Sequence, residues 1–348
     1  MNLRPSQGST RRSFLKNTAL CAATAFAARP FAKAAGTSPG ETLRYQGWAG
    51  VVLFPELADD LGLLAPLKLQ WVGNTTSGPQ DLQATVTNNT DFAGAFNGSI
   101  MKMIGAGAPV RAVLAYAGSD ARSCMGIFVR GSSAIRTARD LIGKVIGVNT
   151  LRAQGECFVD QYLRQNGLTD DEIRQVVLVG ISSVVAETAL RHGTLDAAVL
   201  PTFFRDAALA HGGLRELTTD YEFYGATNMD SVILRNDMLQ NAPDLAQHFV
   251  AATAQAIAWA QNTPQADVIA RYVSIIRKRG RDEGVFPARH WRSTALVTKG
   301  GVIRPRDYTQ FQSWYAWRGD AHTASLAPES IYTNRFNPFA TEASLEKG

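Results

Sequence analysis

Cysteine is scarce: the 348 residues contain three, Cys21, Cys124 and Cys157, too few for the disulfide framework that staples small secreted domains. Cys124 and Cys157 are left either to form one bridge or to sit apart as two buried thiols. Histidine is almost as sparse, with five residues scattered at His192, His211, His248, His290 and His322. No H-x-x-x-H or paired Cys/His spacing occurs among them, so no zinc or haem site is expected. Gly105-Ala106-Gly107 lacks the later glycine and the strand-loop-helix setting of a dinucleotide loop, and no cofactor is expected. Long apolar runs are missing too. The Ala-rich stretch from Thr18 to Ala28 falls far short of the ~20 strongly apolar residues of a membrane span.

What is present begins at the N-terminus. Thr10-Arg11-Arg12-Ser13-Phe14-Leu15-Lys16 has the pattern of a twin-arginine export signal, and Ala32-Lys33-Ala34 supplies a small-x-small cleavage site. Residues 1–34 are therefore expected to be a removable leader to the periplasm, with the mature chain starting near Ala35. Cys21 follows Leu20, bulkier than the Gly or Ala of a lipoprotein signal, so no lipid anchor is expected. The leader also accounts for the basic balance. It holds six of the 35 basic residues and none of the 30 acidic ones, which leaves 29 against 30. A chain that close to neutral has no bulk electrostatic pull toward nucleic acid or anionic membrane. Arg277-Lys278-Arg279-Gly280-Arg281 is the one dense basic cluster left, read as a solvated helix end or as a patch for a partner protein.

The remaining length suits one large or two medium α/β domains. Strand, loop and helix alternate. Strands are expected at 42–46, 67–72 and 91–96, with helices at 51–64 and 80–87. A second cycle follows Gly131: a short helix at 138–142, strands at 145–148, 175–179 and 197–200, and helices at 153–165 and 184–191. This βαβ order favours mostly parallel sheets covered by helices. Two extended segments, Gly126–Val129 and Ser231–Leu234, bracket the second cycle and are candidate crossovers between two lobes. The tail reads as helices at 245–261, 265–277, 288–297 and 307–317, packed on the first lobe.

Several ordered stretches resemble the periplasmic solute-binding proteins of ABC importers in the sulfonate, nitrate and taurine group, whose relatives include thiamine-precursor binders. Ala58-Asp59-Asp60-Leu61-Gly62-Leu63-Leu64 with Leu67-Lys68-Leu69 is similar to that family's first helix, glycine turn and second strand. Asp91-Phe92-Ala93-Gly94 resembles its third strand and Gly107-Ala108-Pro109-Val110 the turn into the fourth. Ala138-Arg139-Asp140-Leu141-Ile142-Gly143-Lys144-Val145-Ile146-Gly147-Val148 is similar to the opening of its second lobe, and Leu190-Arg191-His192-Gly193-Thr194-Leu195-Asp196-Ala197-Ala198 to a later landmark. The resemblance implies a type II periplasmic-binding fold, α/β and two-lobed, with two crossover strands. The lobes would be 35–128 with 231–348, and 129–230. It implies a monomer that closes on a small anionic organic solute, such as an aliphatic sulfonate or taurine, and hands it to a membrane permease. Nitrate, an aromatic carboxylate, a thiamine-type pyrimidine precursor, a receptor-linked sensing role and an enzyme on the same scaffold are the alternatives.

Ligands of open α/β sheets sit beyond the carboxyl ends of strands, which selects candidate residues loop by loop. Trp48 is a cleft wall or a core aromatic. Ser77, Gly78 and Gln80 start a helix able to receive an anion, and Ser77 equally suits a cap. Asn97 and Ser99 repeat that chemistry. Thr150 is a cap or a ligand contact, and Arg152 an exposed helix-start arginine or the guanidinium for an anion. Thr202 follows a strand beside Phe203 and Phe204. Asn228 and Asp230 precede the second crossover, where Asp230 either receives a ligand amine or braces Arg152 or Arg122.

Overall fold

The computed structural model describes residues 42–341. The expected leader lies outside the described residues. The first run of elements is β1 (Thr42–Gly47), α1 (Phe54–Asp60), β2 (Lys68–Asn74), α2 (Gly78–Val86), β3 (Phe92–Phe96), α3 (Asn97–Gly105) and β4 (Val110–Ser119). Buried and half-buried residues alternate along β1, which turns Leu43 and Tyr45 inward as a strand with one covered face requires. A second run follows: β5 (Met125–Arg130), a 3₁₀ turn at Ala138–Leu141, β6 (Val145–Val148), α4 (Gln154–Gln165), α5 (Asp170–Ile173), β7 (Val177–Gly180), α6 (Ser183–Arg191), β8 (Ala197–Pro201), α7 (Thr202–His211), β9 (Leu214–Thr219) and α8 (Asp220–Tyr224). The chain then returns through β10 (Thr227–Arg235), α9 (Asn236–Asn241), α10 (Pro243–Asn262) and α11 (Gln265–Arg279). In α10 the residues Ala246, Phe249, Val250, Thr253, Ile257 and Ala260 are buried at helical spacing, and this stripe joins Leu43, Leu57 and Phe92 in one core.

The second lobe holds a five-stranded sheet in the order β7-β6-β8-β5-β9. β6 runs parallel to β7 and β8, whereas β5 runs antiparallel to β8 and β9. Four strands therefore share a direction and β5 opposes them. The first lobe repeats the plan in β3-β10-β4, where β10 opposes both neighbours. Parallel β1 and β2 extend it, the Asp91 N–H donating to the Arg44 carbonyl at 2.8 Å. In both lobes the reversed strand is the one that has just arrived from the other lobe.

Gly126–Val129 and Ser231–Leu234 are interior to β5 and β10, and the chain crosses between the sheets just outside them, through 120–124 and 225–226. Apolar strand sequence marks where the chain enters a sheet, not the short link before it. Asp220, at the start of α8, holds both ends of the first passage, accepting from Ser119 Oγ at 2.7 Å and Met125 N at 2.8 Å.

Two helices expected in the tail are broken. The first, expected at 288–297, is replaced by a short helix at Phe286–Arg289, and the chain beyond it is irregular, with Ala295 at φ 52°. The second divides into Arg306–Thr309 and Gln312–Trp317. Conversely, Asn97–Ser99 and Thr202–Phe204, read as loops, are the first turns of α3 and α7. The basic cluster is divided as well. Arg277 and Lys278 are exposed, but the Arg279 and Arg281 side chains are 9% and 8% exposed and paired with Glu56. Both Cys124 and Cys157 are free and buried.

Candidate ligand-binding site

A cleft of about 380 Å³ opens between the two sheets, where strand ends meet helix starts from both lobes. Its first-lobe side comes from the loops after β1 and β2, the end of β3 (Gly94, Ala95 and Phe96), the end of β4 and Asp230 of β10; its second-lobe side comes from the loop after β6 and the starts of α4, α6 and α7. Loops of the two lobes touch across it. Asn149 Nδ2 donates to the Thr76 carbonyl at 3.3 Å, and the hydroxyls of Thr150 and Ser77 are 3.4 Å apart.

Of the residues selected from sequence, Trp48, Gly78, Thr150, Thr202 and Asp230 line this cleft, and Ser77 stands beside Thr150. Gln80 and Arg152 are exposed and lie off its wall. Arg152 holds φ 58°, and its N–H donates to Glu156 Oε2 at 2.7 Å. Ser99 is buried with an unpartnered hydroxyl, also off the wall. Asn97 and Asn228 serve a buried polar node instead. Asn97 donates to the Asp307 carbonyl at 2.9 Å and accepts from Ser231 Oγ at 2.7 Å; Asn228 donates to Asp307 Oδ2 at 2.7 Å and accepts from Val297 N.

The electrostatics of the cleft combine two opposite features. N-termini of α2, α4 and α7 open onto it, and none has a side-chain cap hydrogen bond. The Thr202 N–H at the start of α7 donates to the Cys124 carbonyl at 3.0 Å and Pro79 in α2 has no N–H; the remaining first-turn N–H groups and the helix dipoles favour negative charge. Yet no lysine, arginine or histidine lines the described cleft, while Asp220 and Asp230 do. The Asp230 carboxylate makes no hydrogen bond or ion pair among the described residues. Burial, reinforced by the charge of Asp220, pushes its pKa up to about 7. Asp220 is raised to about 6 by burial, against the pull of its donors Met125 and Ser119.

Tyr116 and Asp81 were not recognisable beforehand. Tyr116 reaches from β4 across β10 so that its ring lies on Gly94 of β3, where an added Cβ would come 2.7 Å from the ring. Burial raises its phenol pKa, and the nearby charges of Asp230 and then Asp81 add to the effect. Asp81 accepts from Gly94 N at 3.0 Å and leaves its other oxygen buried without a partner; burial raises it to about 7. The only available signal was Gly94 itself, a glycine inside an apolar strand that marks a close approach. Gly94→Ala is accordingly expected to displace the Tyr116 ring and cost about 1–3 kcal/mol, read by denaturant unfolding. A neutral result would mean that the ring does not bear on this strand. Thr202 adds a local oddity, a non-glycine residue at φ 36° on the cleft wall, the kind of strain that clusters at ligand clamps.

Among solved structures, the chain resembles the periplasmic aliphatic sulphonate binding protein SsuA from Escherichia coli (19% identity, 82% of this chain and 91% of that one, TM-score 0.60). It is similar to the alkanesulfonate-binding protein SsuA from Xanthomonas axonopodis pv. citri bound to MOPS (20% identity, 84% and 98%, TM-score 0.62). The nitrate-binding protein NrtA from Synechocystis PCC 6803 is also similar (10% identity, 85% and 87%, TM-score 0.65). Among curated proteins none matches the sequence. The structural likenesses establish the two-lobed periplasmic-binding fold. The NMT1/THI5-like family model matches residues 67–267, more than half of the chain, and the chain belongs to that family.

Proposed function

We propose that the chain is the solute-binding component of an ABC importer, working in the periplasm after twin-arginine export and delivering its cargo to a membrane permease as a monomer. We further infer that the solute is a small organic molecule bearing both an anionic group and a protonated amine, of the aminosulfonate type. The observation that carries this is the charge pattern of one cleft: uncapped helix N-termini for an anion, and the unpartnered Asp230 carboxylate for an amine. A plain sulfonate or nitrate would leave Asp230 facing like charge, which disfavours binding. The family and the sulfonate- and nitrate-binding relatives support the transport role. The two passages at 120–124 and 225–226 supply the hinge on which ligand contacts favour the closed state.

Nucleophilic catalysis would need an activated thiol or a nucleophile–base pair. No histidine or cysteine lines the described cleft, and burial pushes the Cys124 thiol up to about 12, far from thiolate. A second reading, a flat amine-bearing nitrogen heterocycle, is favoured by the aromatic walls Trp48, Tyr116, Phe203 and Phe204 around the same carboxylate.

A thermal-shift screen of the chain from Ala35 onward separates these readings, since a ligand selective for the native state raises the melting temperature. The panel is taurine, MOPS, ethanesulfonate, nitrate, ethylamine, benzoate and an aminopyrimidine. The largest shifts are expected with taurine or MOPS. A larger shift with nitrate or ethanesulfonate would remove the amine half of the reading, and one with the aminopyrimidine would replace it by the second.

A further inference from the structure

A second cavity, of about 180 Å³, adjoins the cleft along Tyr116, Ala117, Gly118, Thr202 and Phe203. Its far walls are apolar: Val52 and Phe54 at the start of α1, Tyr272 of α11, and Ala288 and Trp291 after it. Trp291 is fixed edge-to-face on Tyr272, with ring centroids 5.9 Å apart. Polar side chains on the lining include His290, Thr294 and a paired set. In that set Arg292 Nε pairs with Asp206 Oδ2 at 2.9 Å, and Ser293 donates to Asp120 Oδ2 at 2.7 Å. Thr202, Phe203 and Asp206 belong to α7, so the second lobe supplies one wall of a chamber whose other walls come mostly from the first. The Val52, Phe54, Ala288 and Trp291 walls offer ordered water few polar partners.

We propose that this chamber is a subsite of the cleft, and that it receives an apolar arm of the ligand, a short alkyl or aryl substituent, while the charged head stays at Asp230 and the helix N-termini. The subsite rests on the cleft being the solute site. It makes Ala288 and Trp291 specificity-determining residues that select the length of the arm.

The test is a calorimetric chain-length series, ethyl to octyl, with three head groups: N-alkyl-2-aminoethanesulfonates, n-alkylamines and n-alkanesulfonates. Affinity is expected to rise roughly fourfold per added methylene until the chamber is full. Ala288→Leu, which fills the chamber, should end that rise at a shorter chain, and Trp291→Ala, which enlarges it, at a longer one. Using both guards against one variant failing to fold. A rise confined to the amines or to the sulfonates, still shifted by the variants, would overturn the zwitterionic head and keep the chamber. No chain-length effect in any series, or a rise that neither variant moves, overturns the chamber.

Discussion

Asp230→Asn is expected to weaken an aminosulfonate ligand by one to two orders of magnitude at pH 8, because a hydrogen bond to a charged group is worth ~1.5–3 kcal/mol. Binding of the corresponding plain sulfonate should improve, since the substitution removes a like charge. The pH dependence follows from the raised pKa of about 7. An ammonium ligand binds the ionised carboxylate, so its affinity should fall as pH drops below 7, toward a tenfold loss per unit, and the variant should flatten that profile. The groups around Asp230 leave no cation to alter the sign: Asp220 and Asp81 are acids raised to about 6 and about 7, and Tyr116 is held neutral.

The ligand-free protein should show the converse effect. A carboxyl near 7 in the fold and about 3.9 when unfolded binds its proton more tightly in the native state. Its contribution to stability is complete below about pH 4 and lost as pH rises through 7. The melting temperature of the free protein should therefore decline from mildly acidic pH toward pH 8. Asp230→Asn should reduce that decline and melt above wild type at pH 8. A variant that melts lower there would show that Asp230 serves the fold and not the ligand.

The largest loss of stability is expected from Glu56→Ala. Glu56 is buried at the start of α1 and accepts from Leu53 N at 2.9 Å, Tyr45 OH at 2.5 Å and Arg279 Nη1 at 2.8 Å, with Arg281 Nη2 at 2.9 Å. Glu283 completes the set by accepting from Arg279 Nε and Gly50 N, each at 2.5 Å. Two buried guanidiniums are thus matched by two buried carboxylates, and each of those guanidiniums still has one nitrogen without a partner. Removing Glu56 leaves uncompensated charge in the core, a loss of about 3–5 kcal/mol, measurable by denaturant unfolding. A loss under about 1 kcal/mol, the scale of an exposed ion pair, would contradict this arrangement. Because Glu283 also fixes the loop that follows β1, the variant should loosen the wall around Trp48.

The contrast between these two sites shows what the chain's residue order makes visible. Period-two and period-3.6 patterns located most strands of both sheets and the long helices α10 and α11, because each buries one regular face. The β-α loops pointed to Trp48, Gly78, Thr150 and Thr202 and the second crossover to Asp230, and all five line the cleft. Asn97 and Asn228 share the same local chemistry as the cleft residues, yet Asp307, far along the chain, claims them both. Tyr116 belongs to a strand that looks like ordinary core, and only the stacking of β3, β10 and β4 lays its ring on Gly94 at the cleft; Asp81 of α2 stays off the wall and accepts from Gly94 N. Arg279 and Arg281 read as a solvated helix end because nothing near them in sequence announces Glu56. Local pattern reveals faces and turns, whereas charge pairing across more than two hundred residues appears only in the folded chain.

The central claim is that one cleft holds an anion and an amine together. Its most direct test is calorimetric titration of the chain from Ala35 onward, at pH 8, with taurine, ethanesulfonate and ethylamine. Taurine is expected to bind at least about tenfold tighter than either half, each half lacking one charge-assisted contact worth ~1.5 kcal/mol or more. Ethanesulfonate binding as tightly as taurine, or more tightly, would contradict the account.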